Sequence, residues 1–218
     1  MTEPLRLIAL TGRAGAGKDS VAATLVRHRN YRSIAFADAL RAEIAECWRI
    51  DPRMLQDPGT KEWPIPALAA SNCGDPRFVW HAARREHSLT EPRSPRWVMQ
   101  QWGDFVRGLH GDGHYAEIVR RWIKRQYGSG WTRIVVTDLR FLTELAALRM
   151  TDLRALRVVR VRRPSLPPPV DAHPSETQLR HVEADDELIN DGTPADLVSA
   201  TLRLEAGLWG SEKFQEQK

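Results

Sequence analysis

Between Leu5 and His28 the chain runs from an apolar stretch, LRLIALT, through the glycine-rich turn GRAGAGK, into residues with Val21 and Leu25 on one helical face. The turn, Gly12 to Lys18, fits the pattern G-x-x-x-x-G-K, and its setting between a strand and a helix is the context that gives the pattern its physical meaning. Gly12, Gly15 and Gly17 let the backbone turn tightly and aim N–H groups at phosphate oxygens. The start of the following helix adds its partial positive charge, and Lys18 reaches the β- and γ-phosphates of a nucleoside triphosphate. Gly12, Arg13, Ala14, Gly15, Ala16, Gly17, Lys18, Asp19 and Ser20 are therefore the candidate ATP-binding residues.

One position departs from the usual pattern. Asp19 stands where a Ser or Thr hydroxyl ordinarily meets Mg²⁺, and Ser20 points elsewhere around the helix. A carboxylate there serves a metal directly or through water, or caps the leading helix N–H groups. The substitution weakens a generic ATPase or GTPase reading and points to particular kinase families.

The rest of the chain supplies an α/β frame for this loop. Ile34–Phe36, Arg133–Thr137, Leu156–Val161 and Leu188–Ile189 read as further short strands. Helical spacing recurs at Leu40, Ile44, Cys47 and Trp48, with Asp38 as expected N-cap. It returns from Ser94-Pro95 to about Leu109, at Tyr115, Ile118, Val119, Trp122 and Ile123, at Phe141, Leu142, Leu145 and Leu148, and at Leu197, Val198, Thr201 and Leu202. Asp51 to Pro95, rich in Pro, Trp and Arg, shows no clear period and reads as an irregular insertion over the site. Pro164 to Pro174 reads as a loop. Strands alternating with helices predict a parallel sheet with helices on both faces.

A second candidate constellation is Asp138-Leu139-Arg140-Phe141, at the end of the strand RIVVT. In open parallel sheets the carboxyl ends of the strands face the ligand crevice. An acid there is placed for the water shell of Mg²⁺, and an Arg two residues on can reach a transferring phosphate. Glu144 follows on the same helical turn and is expected to orient Arg140.

Composition narrows the class. The 218 residues suit one α/β domain with a small insertion, and 42% hydrophobic with 28% charged residues describe a soluble globular chain. No apolar run approaches the ~20 residues needed to cross a bilayer. With no secretory leader visible, Cys47 and Cys73 are expected as reduced thiols in a cytoplasmic protein. The net charge of +4 is too small to imply a nucleic-acid partner. The cations are overwhelmingly Arg, whose planar fork suits phosphate oxygens, although codon bias accounts for that equally well.

These motifs together resemble the bacteriophage-type deoxynucleoside monophosphate kinases of the P-loop nucleoside monophosphate kinase superfamily. GRAGAGKDS is similar to their G-K-D-[ST] loop, which accommodates Asp19. Phe36 to Arg41 (FADALR) resembles F-A-D-P-L-K, with Ala39 for Pro and Arg41 for Lys. Pro95-Arg96, Gln100 and Gly103 match P-R-x-x-x-Q-x-x-G, with Asp104 where Thr is usual. Asp138 to Phe141 with Glu144 matches D-x-R-F-x-x-E, His173 to Glu176 resembles H-x-S-E, and Asn190 to Thr193 matches N-D-G-T.

The resemblance implies a P-loop NTPase three-layer α/β/α fold, with a core of about 1–37 and 131–210. It further implies an acceptor-binding helical region of about 38–128 and a lid loop of about 162–176. Lys18, Asp138, Arg140, Arg162 and Arg163 would be catalytic. Asp38, Arg41, Arg96, Gln100, Arg107 and Glu144 would bind the acceptor, and Asp19 and Asp138 would serve Mg²⁺. Arg160 would join Arg162 and Arg163 as lid arginines, and His173, Ser175 and Glu176 would close the lid. The eight tryptophans are expected mostly in the core, with at most one or two, Trp97 and Trp102 among them, stacking a base. Asn190 to Thr193 is assigned mainly to structure, as a turn with Thr193 as N-cap. The implied activity is ATP- and Mg²⁺-dependent phosphorylation of deoxynucleoside monophosphates, with small nucleotides as partners and neither membrane nor nucleic acid; a homodimer stays open. Alternatives are a related kinase acting on phosphomevalonate or on a modified pyrimidine in DNA, and a non-catalytic nucleotide-binding protein.

Overall fold

The computed structural model describes residues 3–57, 59–151, 156–167 and 181–209. Five strands, β1 (Arg6–Thr11), β2 (Arg32–Ile34), β3 (Arg133–Val136), β4 (Leu156–Arg162) and β5 (Asp186–Ile189), form one sheet in the order β2-β3-β1-β4-β5. Every pairing is parallel. Successive side chains of β1 go to opposite faces of the sheet, and both sets are buried. Ile8 and Leu10 join Val135, Val159 and Val161 against Val21 and Leu25 of α1 (Lys18–Arg29) and Leu197 of α7 (Pro194–Trp209). The alternate residues Leu7, Ala9, Ile134 and Val136 are equally inaccessible. A sheet covered on both faces is the α/β architecture expected from the alternating pattern.

The chain divides into two compact units, Met1–Phe36 with Val119–Lys218, and Ala37–Ile118. The first holds the sheet, α1, α6 (Leu142–Arg149) and α7; the second half of α5 (His114–Gly128) belongs to it as well.

The second unit holds α3 (Pro76–Arg84), α4 (Pro95–His110), the start of α5 and nearly all of α2 (Phe36–Trp48). Its core is aromatic. Phe78, fully buried, lies with its ring centroid 5.1 Å from Trp48, 5.3 Å from Trp102 and 5.5 Å from Phe105. Trp102 is therefore a core residue, 4% exposed, rather than a platform for a base.

Three expectations are corrected. The second strand lies at Arg32–Ile34, and Phe36 instead opens α2, because Asp138 Oδ1 accepts the Phe36 N–H at 2.7 Å and caps that helix. Asp38 accordingly sits inside the first turn and not at the N-cap. The stretch from Asp51 to Pro95 is also more regular than its composition suggests: it contains α3 and three short 3₁₀ turns, Pro52–Leu55, Pro66–Leu68 and Ala70–Asn72. Pro52, Pro66 and Pro76 start helical elements, where a missing N–H costs nothing. Asp51 and Asp75 cap two of them by accepting the N–H of Arg53 and Arg77. His173, Ser175 and Glu176 lie outside the described residues.

Candidate phosphate-binding site

The loop from Gly12 to Gly17 connects the carboxyl end of β1 to α1, and close approach explains its glycines. Gly12 (φ +137°) passes so near β4 that a Cβ there would lie 2.2 Å from the Val161 carbonyl oxygen. Gly17 (φ +104°) leaves 2.6 Å between a would-be Cβ and Asn190 Nδ2. No L side chain fits either place. Gly17 is also the N-cap of α1 in a left-handed conformation, and no side chain caps that helix. Its leading N–H groups are thus oriented together at the helix start, the arrangement that favours an anion.

Lys18 is folded into the loop. It is 8% exposed, and its Nζ donates to the carbonyls of Gly12 at 2.6 Å and Arg13 at 2.9 Å. Asp19 stands exposed in the first turn of α1. Among the described residues its carboxylate accepts no hydrogen bond that would mark it as a helix cap.

Asp138 is set beside the loop by the sheet. The Thr137 N–H continues the ladder to Ile34, and the Leu139 N–H donates to the Leu10 carbonyl at 3.0 Å, which pins the D-L-R-F turn next to the end of β1. Glu144 closes that turn from below. It is 7% exposed, and its Oε2 accepts the backbone N–H of Arg140 at 2.8 Å and of Phe141 at 3.0 Å. It therefore orients Arg140 through its backbone. Burial, followed by the repulsion of Asp138, pushes its carboxyl pKa up to about 8.

The segment leaving β4 lies against the loop. Arg13 donates through Nη2 to the Pro167 carbonyl, and Leu166 Cδ2 is 3.4 Å from the position of a Cβ on Gly15. Of the expected lid arginines, Arg160 donates to the Val182 carbonyl, Arg162 pairs with Glu187 at 2.9 Å and Arg163 reaches Ser165 Oγ at 3.3 Å. Asn190, at the end of β5, touches the loop directly. Its Nδ2 donates to the Ala16 carbonyl at 2.9 Å, although the N-D-G-T segment had signalled only a turn and a cap.

The arginines expected at the acceptor sit in the second unit, each beside an acid. Arg41 pairs with Asp38 at 2.8 Å, Arg107 with Asp104 at 2.6 Å, and Arg96 with Glu62. Asp104, standing where Thr is usual in the resembled motif, is thus the partner of Arg107. Gly103 makes room for this arginine, since a Cβ there would meet its Nη1 at 3.2 Å. Gln100 lies one turn beyond Arg96 on α4 and is half-buried. A separate polar cluster joins α2 to α4 and α5: Glu43 accepts from Trp102 Nε1 at 3.0 Å and from the Tyr115 hydroxyl at 2.7 Å, with His114 Nε2 at 3.2 Å.

Among the described residues no group of three or more His, Cys, Asp and Glu is gathered as a metal cage. No described helix is long and apolar enough to cross a membrane.

No family model matches the sequence, and comparison with curated proteins yields no match. Solved structures give distant likenesses. A dephospho-CoA kinase from Campylobacter jejuni superposes with a TM-score of 0.49 at 10% identity, covering 94% of this chain and 98% of the other. A gluconokinase from Sinorhizobium meliloti 1021 gives 0.43 at 16% identity over 100% of both chains. Shikimate kinase from Aquifex aeolicus gives 0.40 at 13% identity, over 94% of this chain and 99% of the other. Likenesses this distant say nothing of a substrate.

Proposed function

We propose that the chain is an ATP- and Mg²⁺-dependent kinase that phosphorylates deoxynucleoside monophosphates to diphosphates. The observation that carries this reading is the glycine loop at the carboxyl end of β1, with Lys18 folded into it and Asp138 at the end of the adjacent strand. In the reaction an oxygen of the acceptor phosphate attacks the γ-phosphorus, the bond from that phosphorus to the β,γ-bridging oxygen breaks, and ADP leaves with the electron pair. Such a transfer needs alignment and charge neutralisation more than covalent help from the protein.

We assign each residue a role in this reading. The N–H groups of the loop and the start of α1 hold the donor phosphates, and Lys18 neutralises charge on the β- and γ-oxygens. Arg140, on a backbone fixed by Glu144, serves the transferring group. Arg41, Arg96 and Arg107 supply guanidinium groups for the acceptor phosphate, and Gln100 supplies an amide for its base.

Asp19 and Asp138 offer hard carboxylate oxygens of the kind Mg²⁺ accepts. When bound, that ion would offset phosphate charge. We assign such a protein to the cytoplasm.

The test is ADP release measured against a panel of deoxynucleoside monophosphates, ribonucleoside monophosphates and oligonucleotides. One or more deoxynucleoside monophosphates should be turned over, and Lys18→Ala should lower kcat by roughly 10²–10³-fold with an unchanged melting temperature. Turnover of oligonucleotides alone would transfer the acceptor assignment to DNA. Undiminished turnover by Lys18→Ala would remove the loop from the mechanism.

A further inference from the structure

We infer that Asn190 is a positioning residue for the phosphate-binding loop, setting the direction of the Gly17 N–H through the carbonyl of the same peptide. The inference rests on the reading of that loop as a phosphate site. In a planar trans peptide the C=O and N–H point in opposite directions. Asn190 Nδ2 donates to the Ala16 carbonyl at 2.9 Å, so the Gly17 N–H, in the Ala16–Gly17 peptide, is directed away from Asn190. Gly17 would otherwise be the freest residue of the loop, since glycine alone tolerates its φ of +104° and many other values besides. An external hold on its peptide therefore has a purpose.

Asn190 is itself held from both sides. Its N–H donates to the Arg162 carbonyl at 2.7 Å. Beyond it, Thr193 and Asp196 form a reciprocal cap: Asp196 Oδ2 accepts the Thr193 N–H at 2.9 Å and Thr193 Oγ1 accepts the Asp196 N–H at 3.2 Å. Packing completes the hold, because a Cβ on Gly17 would lie 2.6 Å from Asn190 Nδ2 and 3.4 Å from Leu197 Cδ2. The amide thus reaches the loop from a rigid strand end, with no slack. Preorganised N–H groups bind an anion without reorganising, and this is where such a contact gains its effect. An asparagine suits the task because its amide donates; an aspartate of the same shape would set a carboxylate oxygen against the Ala16 carbonyl.

The proposal is tested by calorimetric binding of ATP, tripolyphosphate and adenosine to the full chain and to Asn190→Ala and Asn190→Asp. Loss of the hydrogen bond in Asn190→Ala should weaken ATP and tripolyphosphate in parallel, by about fivefold to tenfold. Asn190→Asp should weaken both further, while adenosine binding, measured well below each variant's melting temperature, stays as in wild type. Equal binding of tripolyphosphate by wild type and both variants would overturn the positioning role and leave the loop assignment standing. Weakened ATP with unchanged tripolyphosphate would overturn it in favour of a contact to the nucleoside. If wild type failed to bind tripolyphosphate at all, while Lys18→Ala bound ATP normally, the loop assignment would fall together with the positioning role.

Discussion

The two units achieve order by different means. In the first, the candidate site is made of backbone: a loop shaped by close approaches at Gly12 and Gly17, with Lys18, Asp138, Glu144 and Asn190 each bonded to main-chain groups. In the second, order comes from side chains: three aromatic rings around Phe78, arginines paired with acids, and Glu43 held by Trp102 and Tyr115. A backbone site must keep its geometry whatever it binds, because peptide groups cannot be re-aimed cheaply. Arginines that rest on exposed carboxylates can exchange them for a phosphate, since an exposed ion pair contributes little by itself.

The sharpest way to break this contrast is to cut into the aromatic core. Phe78→Ala removes a fully buried ring from between Trp48, Trp102 and Phe105 and should cost roughly 3–5 kcal/mol. The melting temperature should fall accordingly, while ATP affinity, measured well below the new midpoint, should match wild type. Loss of ATP binding in the still-folded variant would show that the loop depends on the second unit's packing.

A smaller effect concerns the one buried carboxylate beside the site. The pKa of Glu144 is raised from its ordinary value to about 8. The folded state thus holds a proton that the unfolded chain has released, so the contribution is full below the ordinary carboxylate pKa and is lost as pH rises through about 8. Without nucleotide or metal, wild type should lose stability across that window by at most about 1.4 kcal/mol per pH unit. Glu144→Gln keeps an oxygen for the N–H groups of Arg140 and Phe141 and should flatten the profile. Denaturant midpoints from pH 5 to 9 check this, and identical slopes for the two proteins would refute it.

The smallest expected effect lies at the arginines proposed for the acceptor. Arg96 is exposed and paired with Glu62, so its loss should leave the fold intact. Arg96→Ala should raise KM about tenfold for every deoxynucleoside monophosphate, as for a lost charge-assisted contact to phosphate. Gln100→Ala should instead change the ranking among bases. Steady-state kinetics across the panel separate the two, and untouched kinetics in Arg96→Ala would discard the assigned acceptor role.

The legibility of the two units follows the same divide. Ser94-Pro95 was readable as a cap followed by a helix start, and the structure places both there, with Ser94 Oγ accepting the Trp97 N–H at 3.2 Å. Asp51-Pro52 and Asp75-Pro76 carry the same signal, yet they sit among short 3₁₀ turns that have no apolar period to support it. The stretch therefore read as irregular.

The sequence by itself determined the β1–loop–α1 unit, the parallel α/β arrangement, and the positions of Lys18, Asp19, Asp138 and Arg140. These depend on periods and spacings within a few residues, which local sterics and hydrogen bonding translate directly into shape. Only the tertiary structure decided that Asp138 caps α2 and that Asn190 holds Ala16. Each of these contacts joins residues whose partner is fixed by how strands and helices pack and not by their spacing; Asn190 and Ala16 are 174 positions apart.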